Sequence, residues 1–242
     1  MTTMVRMEGI TLHFPRQRGI LVGTIDLLRG KSTAGKRKFT ALKNVDLEVN
    51  KGEVLGVIGR NGSGKSTLLR VMSGIYRPDE GTVLVRGRTS LLAGVSVGLN
   101  QNLTGRENVH LYGSILGHDK ATMEAMMEDI LSFSELGEFI EQPLRTYSSG
   151  MKARLGLAIA SAIEPEILLI DEVLGVGDPQ FREKSKQRIL DLVKNTGTVV
   201  LVSHSFGLMK EICNRLVLVH DGKIAMVGEP TEVIAKYYEL TD

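Results

Sequence analysis

The 242-residue sequence has a single cysteine, no tryptophan and only 5% aromatic residues. Cys213 alone cannot close an internal disulfide, so it reads as a buried free thiol in a reducing compartment. No apolar run approaches the roughly 18 to 20 residues that cross a bilayer. The best runs, such as Ile167–Ile170 and Val199–Val202, are strand-sized, so the chain is expected not to span a membrane by itself. Arg6 and Glu8 interrupt any apolar core at the start, which excludes a secretory leader and points to a cytosolic chain. Internal repeats and low-complexity tracts are missing too. With 42% hydrophobic and 24% charged residues, neither wholesale disorder nor a polytopic membrane protein fits. The length allows one or two domains with a real core.

Short Val-, Ile- and Leu-rich runs alternate with helical patterns, which predicts an α/β protein around a largely buried parallel sheet. The clearest strands are Val54–Ile58, Ile167–Asp171 and Thr198–Ser203. Near the ends, Val45–Val49, Thr82–Val85, and Leu216–Val219 followed by Asp221-Gly222 and Ile224–Val227 read as antiparallel strands, the last pair a hairpin. A second, smaller sheet is expected from them. Thr104–Phe139 carries no strand signal, and Met123, Met126, Met127, Ile130 and Leu131 recur at helical spacing. This stretch reads as a helical insert whose methionines are core rather than a binding surface.

Val54–Ile58 runs into Gly59-Arg60-Asn61-Gly62-Ser63-Gly64-Lys65-Ser66-Thr67, and a helical pattern follows. This is G-x-x-x-x-G-K-[ST] in the strand–loop–helix setting that the motif needs. Its glycines let backbone N–H groups curl around phosphates while the helix N-terminus adds a positive end. Lys65 can bridge the β- and γ-phosphates of a nucleotide, and Ser66 can place its hydroxyl on Mg²⁺. A second part is Ile167–Asp171 with Glu172, a buried strand ending in two carboxylates at the sheet edge where ligands of open α/β sheets sit. Asp171 suits a hard cation, and Glu172 could orient or deprotonate an attacking water. A third strand ends at the same edge in His204, placed to meet a γ-phosphate oxygen or that water.

Tyr147-Ser148-Ser149-Gly150-Met151 precedes a helical run over Lys152–Ile163. A serine at a helix start is a good N-cap, and the exposed N–H groups of such a helix suit a phosphate. This second anion site cannot easily reach the nucleotide already held by Gly59–Thr67, so a second copy of the chain is expected to share it. On these residues the sequence resembles the nucleotide-binding subunits of ABC transporters over nearly its whole length. The resemblance implies that Gly59–Thr67 is the Walker A loop, Ile167–Asp171 the Walker B strand, Glu172 the catalytic carboxylate and His204 the switch histidine. It also implies an ABC-type P-loop fold, with a mainly parallel core, an antiparallel β subdomain and a helical subdomain at about 100–160. ATP and Mg²⁺ are the implied cofactors.

Two departures narrow the resemblance. The signature, usually Leu-Ser-Gly-Gly-Gln, reads Tyr-Ser-Ser-Gly-Met, and Gly175-Val176-Gly177-Asp178 stands where Ser-Ala-Leu-Asp is usual. Both resemble the exporters of bacterial polysaccharides such as O-antigen, capsule and teichoic acid, as does the stretch from Ser90 to Asn108. A metal-sensing glutamine is not assigned, because Gly94-Val95-Ser96 occupies its place and Gln101 is out of register. The adenine-stacking aromatic is either Phe14 or Phe39, with Phe14 preferred. The resemblance implies a homodimer that sandwiches two ATP–Mg²⁺ between each Lys65 loop and the opposing Ser149 loop. It further implies a separate permease dimer meeting Ser96–Leu103 and the insert from Thr104, a lipid-linked glycan served indirectly, and a place on the cytoplasmic face of the inner membrane.

Residues 16–38 stand apart, with seven basic residues and one acid among apolar ones. Their charge of +6 leaves −4 for the rest of the chain, so the formal total of +2 averages two unlike parts. Basic residues gain about 1 kcal/mol each beside an anionic leaflet, which suits contact with the membrane interface or the permease. Only Phe39 borders this segment, too few aromatics for base stacking, so nucleic acid is not expected as a partner. The chain reads as one cassette over 1–242. It is expected to carry no carbohydrate-recognition domain, because only a short helix-like stretch, Thr231–Leu240, follows Gly228.

Overall fold

The computed structural model describes residues 2–15, 38–93, 99–115, 117–163, 165–171 and 178–241. Its strands are β1 (Thr3–Pro15), β2 (Lys38–Asn50), β3 (Val54–Ile58), β4 (Glu80–Val85), β5 (Thr89–Ala93), β6 (Ile167–Asp171), β7 (Val199–Val202), β8 (Arg215–His220) and β9 (Lys223–Gly228). Its helices are α1 (Lys65–Met72), α2 (Gly105–Ile115), α3 (Lys120–Ala125), α4 (Met127–Ser134), α5 (Ser149–Ala162), α6 (Pro179–Thr196), α7 (Phe206–Ile212) and α8 (Pro230–Glu239).

Six strands form one sheet in the order β5-β6-β7-β3-β8-β9, parallel except for β9. The middle strands are buried on both faces, which is why they read as unbroken apolar runs. Alternate residues still serve different cores. Leu55, Val57, Leu169, Val200 and Val217 pack with α1 and the small sheet, whereas Ile58, Leu168, Ile170, Leu201 and Leu216 pack with α5, α6 and α8. The small sheet is antiparallel, in the order β2-β1-β4. In β1 the buried Val5 and Met7 alternate with exposed Arg6 and Glu8, as one-sided burial requires.

Two expectations about strands change. Leu216–Val219 lies in β8, which runs parallel to β3 in the large sheet; only β9, across the Asp221-Gly222 turn, is antiparallel there. The hairpin was legible, but the partner on the other side of β8 comes from a long-range pairing that no local pattern encodes. The smaller sheet instead contains the long β1 with β2 and β4. β5, too short to mark itself as a strand in the sequence, extends the parallel sheet with Leu92 pairing Ile170 and Ala93 pairing Asp171.

The helical insert forms as expected from the spacing. Met123, Met127 and Ile130 are buried, joined by Val109, Phe133, Ile140 and Leu144. The methionines are core. Helix α2 opens with a reciprocal cap, Glu107 N donating to Thr104 Oγ1 (3.1 Å) and Thr104 N to Glu107 Oε2 (2.8 Å). Residues 17–37 of the basic segment, with Arg16, lie outside the described residues. Its borders do not: Pro15 pairs with Lys38 and Phe14 with Phe39, so the segment leaves and rejoins the small sheet at one place. No helix among the described residues is long and apolar enough to cross a membrane.

Candidate active site

The phosphate loop follows β3, and its local geometry depends on glycine at the turn out of the strand. Gly59 has φ 152°, and a Cβ there would meet the Val219 carbonyl oxygen at 2.2 Å. Helix α1 then begins after Gly64 with no side-chain cap, so its first-turn N–H groups are left to an anionic ligand. Phe14, Phe39, Asn61, Gly62, Gly64, Lys65, Ser66 and Thr67 line one cavity of about 460 Å³. Lys65 is largely buried, and its Nζ donates to the carbonyls of Gly59 (2.8 Å) and Arg60 (2.9 Å). The ammonium is thus held within the loop, ready to exchange those oxygens for a phosphate's.

β6 brings Asp171 to this loop. Ser66 Oγ donates to Asp171 Oδ1 at 3.1 Å, although the two are far apart in sequence. Two hard oxygens at this spacing beside a phosphate cradle fit Mg²⁺, which takes few protein ligands and completes its shell with phosphate and water. β7 is the neighbour of β6, with Val202 opposite Asp171. The exposed His204, two residues further on, therefore stands at the same carboxyl edge. Glu172 and Gly175–Gly177 lie outside the described residues, as do Gly94–Gly98, where the metal-sensing glutamine of the family would fall. Gln101 sits in the insert, with its Oε1 accepting from Lys152 Nζ at 3.4 Å.

Both aromatic candidates for the base reach the cavity, because they face each other across β1 and β2. Their settings differ. Phe14 packs edge-on against Tyr76, with ring centroids 5.4 Å apart, while Phe39 is 49% exposed. Phe14 is therefore the better-braced surface and Phe39 the freer one.

Ser148 caps α5 by accepting from Met151 N at 3.1 Å, which leaves Ser149 and Gly150 in the open first turn. Ser148 and Gly150 line a different cavity of about 330 Å³, with Glu135, Leu136, Phe139, Met151, Arg154 and Asp178. It shares no residue with the Lys65 cavity. Within one chain the two cavities are separate.

Several supporting residues escaped the sequence reading. Arg154, on α5, pairs with Glu135 (3.0 Å) and with Asp178, and lies over the Phe181 ring at 4.6 Å. Asp178 also caps α6 by accepting from Phe181 N at 3.0 Å. That N–H bond, and then Arg154, hold its carboxyl below the usual range. Glu135, which ends α4 in a left-handed conformation, also pairs with Lys184 at 2.6 Å; this bond, with Arg154, lowers its pKa. One arginine thus ties the insert, the helix of the Ser148 cap and the helix that follows the 172–177 segment. Tyr147 is buried, its hydroxyl donating to Phe139 O at 2.5 Å, and burial pushes its pKa up to about 12. Apart from the local Asp178 cap, these roles come from contacts between different elements.

A Lys-bearing glycine loop between a parallel strand and a helix, its serine bonded to an aspartate from the next strand but one, defines a P-loop nucleotide-binding domain with an inserted helical part. The chain belongs to the ABC transporter family, whose model matches residues 42–175. It is 45% identical over 213 residues to the O-antigen export system ATP-binding protein of Myxococcus xanthus, covering 88% of this chain and 49% of that protein. The chain thus spans about half the length of that relative. It is 39% identical over 241 residues to the O-antigen export system ATP-binding protein of Klebsiella pneumoniae, covering 98% of both. The teichoic acids export ATP-binding protein of Listeria innocua is 40% identical over 231 residues, covering 94% of this chain and 69% of that one. Among solved structures, an ATP-binding subunit of an ABC transporter superposes with TM-score 0.76 at 21% identity, covering 99% of this chain and 100% of that one. A dimeric ATP-binding cassette in a post-hydrolysis state, bound to ADP and Pi, superposes with TM-score 0.73 at 24% identity, covering 94% and 99%. The fold is that of an ABC cassette.

Proposed function

We propose that this chain is the ATP-hydrolysing subunit of an exporter that moves a lipid-linked polysaccharide, of the O-antigen or teichoic acid class, across the cytoplasmic membrane. The observation that carries the reading is the end-to-end likeness to an O-antigen export ATP-binding protein, 39% over 98% of both chains. The Ser66–Asp171 pair beside Lys65 supports the ATPase part.

Phosphoryl transfer asks for positioning and charge neutralisation rather than covalent help from the protein. In this reading the N–H groups of Gly62–Thr67 take the β- and γ-phosphates, and Lys65 leaves the Gly59 and Arg60 carbonyls for them. Ser66 and Asp171 would hold Mg²⁺, which when bound would neutralise negative charge on the β- and γ-phosphates. Glu172 orients or deprotonates the water, and His204 contacts the γ-phosphate side. A second copy supplies Ser148, Ser149 and Gly150, because one chain's own Ser148 cavity is separate from its Lys65 cavity. The homodimer works beneath a permease dimer at the inner face of the membrane, with the helical insert and residues 96–103 toward the permease. Residues 16–38 contact the permease or the membrane interface.

The test is copurification with the permease and reconstitution in lipid. Lipid-linked O-antigen or teichoic acid polymer should stimulate ATP hydrolysis, and Glu172→Gln should trap an ATP-bound dimer while slowing hydrolysis about 10²–10⁴-fold. Hydrolysis at the parent rate by that variant would refute the catalytic assignment. ATPase activity indifferent to every lipid-linked glycan would refute the substrate class.

A further inference from the structure

A loop that aims its N–H groups inward must turn carbonyls outward, and each outward carbonyl needs a donor of its own. Most donors here come from the loop and its helix. Gly59 O accepts from Lys65 Nζ; Arg60 O accepts from Lys65 Nζ and from Ser63 N at 3.2 Å; Gly64 O accepts from Leu68 N at 2.8 Å. Ser63 O is different. Its donor is the backbone N–H of Gly222 at 2.9 Å, in the turn between β8 and β9. The Gly222 carbonyl in turn accepts from Lys43 N, on β2, at 2.8 Å. One residue of the hairpin turn therefore bridges the small sheet and the phosphate loop.

The fit is tight enough to exclude any side chain. A Cβ on Gly222 would lie 2.7 Å from Ala41 O and 3.2 Å from Ala41 C, both backbone atoms that cannot swing aside. A Cβ on Gly64 would lie 2.8 Å from the same Ala41 O and 3.7 Å from Gly222 Cα. Gly222 has φ 78° and Asp221 φ 48°, the left-handed pair that a tight hairpin turn demands. Loop, turn and β2 thus meet backbone to backbone at this point.

We propose that the Asp221-Gly222 turn positions the phosphate loop. Gly222 holds the Ser63 carbonyl outward, so the cradle is formed before a nucleotide arrives. This rests on the reading that Gly59–Thr67 binds ATP. Lys65 gives up its loop carbonyls on engaging a phosphate, whereas the Gly222 bond stays, so the turn fixes the loop in both states. Gly222 is a positioning residue that touches no substrate.

The test compares Gly222→Ala with Gly197→Ala. Gly197 has φ 76° but open space around its Cβ position, so it carries the same backbone strain without touching the loop. ATP affinity is measured by calorimetry, KM and kcat by phosphate release, and folding by thermal melting. With the loop bond lost, Gly222→Ala should bind ATP about tenfold more weakly, the upper end for one hydrogen bond. Its KM should rise in step, kcat should change less than about threefold, and its melting temperature should fall further than the control's, because its Cβ also meets the Ala41 backbone. A folded Gly222→Ala with parent KM overturns the proposal, as does a KM shift equal to that of Gly197→Ala. If Gly222→Ala does not fold, amide exchange at Gly222 in the parent protein decides. It should slow about tenfold or more when ATP and Mg²⁺ are added, and an unchanged rate overturns the proposal. A parent protein that binds no ATP would overturn the ATP reading itself, and the proposal with it.

Discussion

Asn108 tests how far a single buried amide organises the entrance to the helical insert. It is fully buried on α2, and its Oδ1 accepts from Asn100 N at 2.7 Å. Its Nδ2 donates to Thr104 O (2.8 Å), Asn100 O (3.0 Å) and Leu103 O (3.2 Å). An amide has two N–H groups, so the three donations amount to one single bond and one shared. Asn108→Ala therefore removes about three hydrogen bonds and leaves Asn100 N without its acceptor, while the three carbonyls keep backbone donors in Leu103 N, Leu144 N and Asn108 N. At about 0.5–1.5 kcal/mol each, the loss comes to about 1.5–4.5 kcal/mol. Asn108→Asp has nearly the same shape and keeps the bond from Asn100 N, yet at neutral pH it turns a carboxylate oxygen toward three carbonyl oxygens. Uncompensated buried charge costs about 3–5 kcal/mol, so the aspartate should be the worse replacement. In urea, with a slope near 3 kcal/mol per molar for a chain of this size, the alanine variant should unfold about 1 M earlier. ATP affinity should be unchanged, since Asn108 lines neither the Lys65 cavity nor a contact of its loop. An alanine variant within about 0.5 kcal/mol of the parent, or an aspartate variant more stable than the alanine at pH 7, would refute the reasoning.

Arg154→Lys keeps the charge but loses the planar fork that reaches Glu135 and Asp178 together over Phe181. It should lower kcat about three- to tenfold with ATP affinity intact; equal kcat in a phosphate-release assay would count against the link. Burial pushes the Cys213 thiol up to about 12, against about 8.5 for an exposed thiol. The folded state thus keeps its proton while the unfolded state loses one. Stability is full below about pH 8.5 and falls by up to about 1.4 kcal/mol per pH unit above it, until the folded thiol titrates near 12. Cys213→Ala should show a shallower alkaline decline between pH 9 and 10 in denaturant titrations, and identical slopes would refute the assignment.

Most of the nucleotide half of the site was legible in the sequence, because a phosphate loop is local. Strand, glycine turn, Lys65 and helix occupy consecutive residues, and each follows from backbone conformational demands within that stretch. The strand before Asp171 was equally plain, since burial on both faces leaves an unbroken apolar run. The methionine-bearing helices of the insert showed their spacing, and Met123 and Met127 are buried as that spacing predicts. The strand pairing was less legible. β8 looks like half of a hairpin, and its parallel partner β3 lies far along the chain. β5 is short and ends beside glycines, so its own residues did not mark it as a strand.

By itself the sequence determined the chemistry that can be held in a few neighbouring residues: the cradle, its lysine, the acidic strand end and the helix capped by Ser148. It also determined the family, since those motifs occur in a fixed order. Only the tertiary structure decided which residues brace them. Ser66 meets Asp171 because β6 lies close to the loop, Arg154 meets Asp178 because α5 and α6 abut, and Gly222 meets Ser63 because β8 and β9 fold back under the cradle. Each is a contact between backbone or side-chain groups distant in sequence, where no periodicity or spacing carries the information and only packing brings the atoms together.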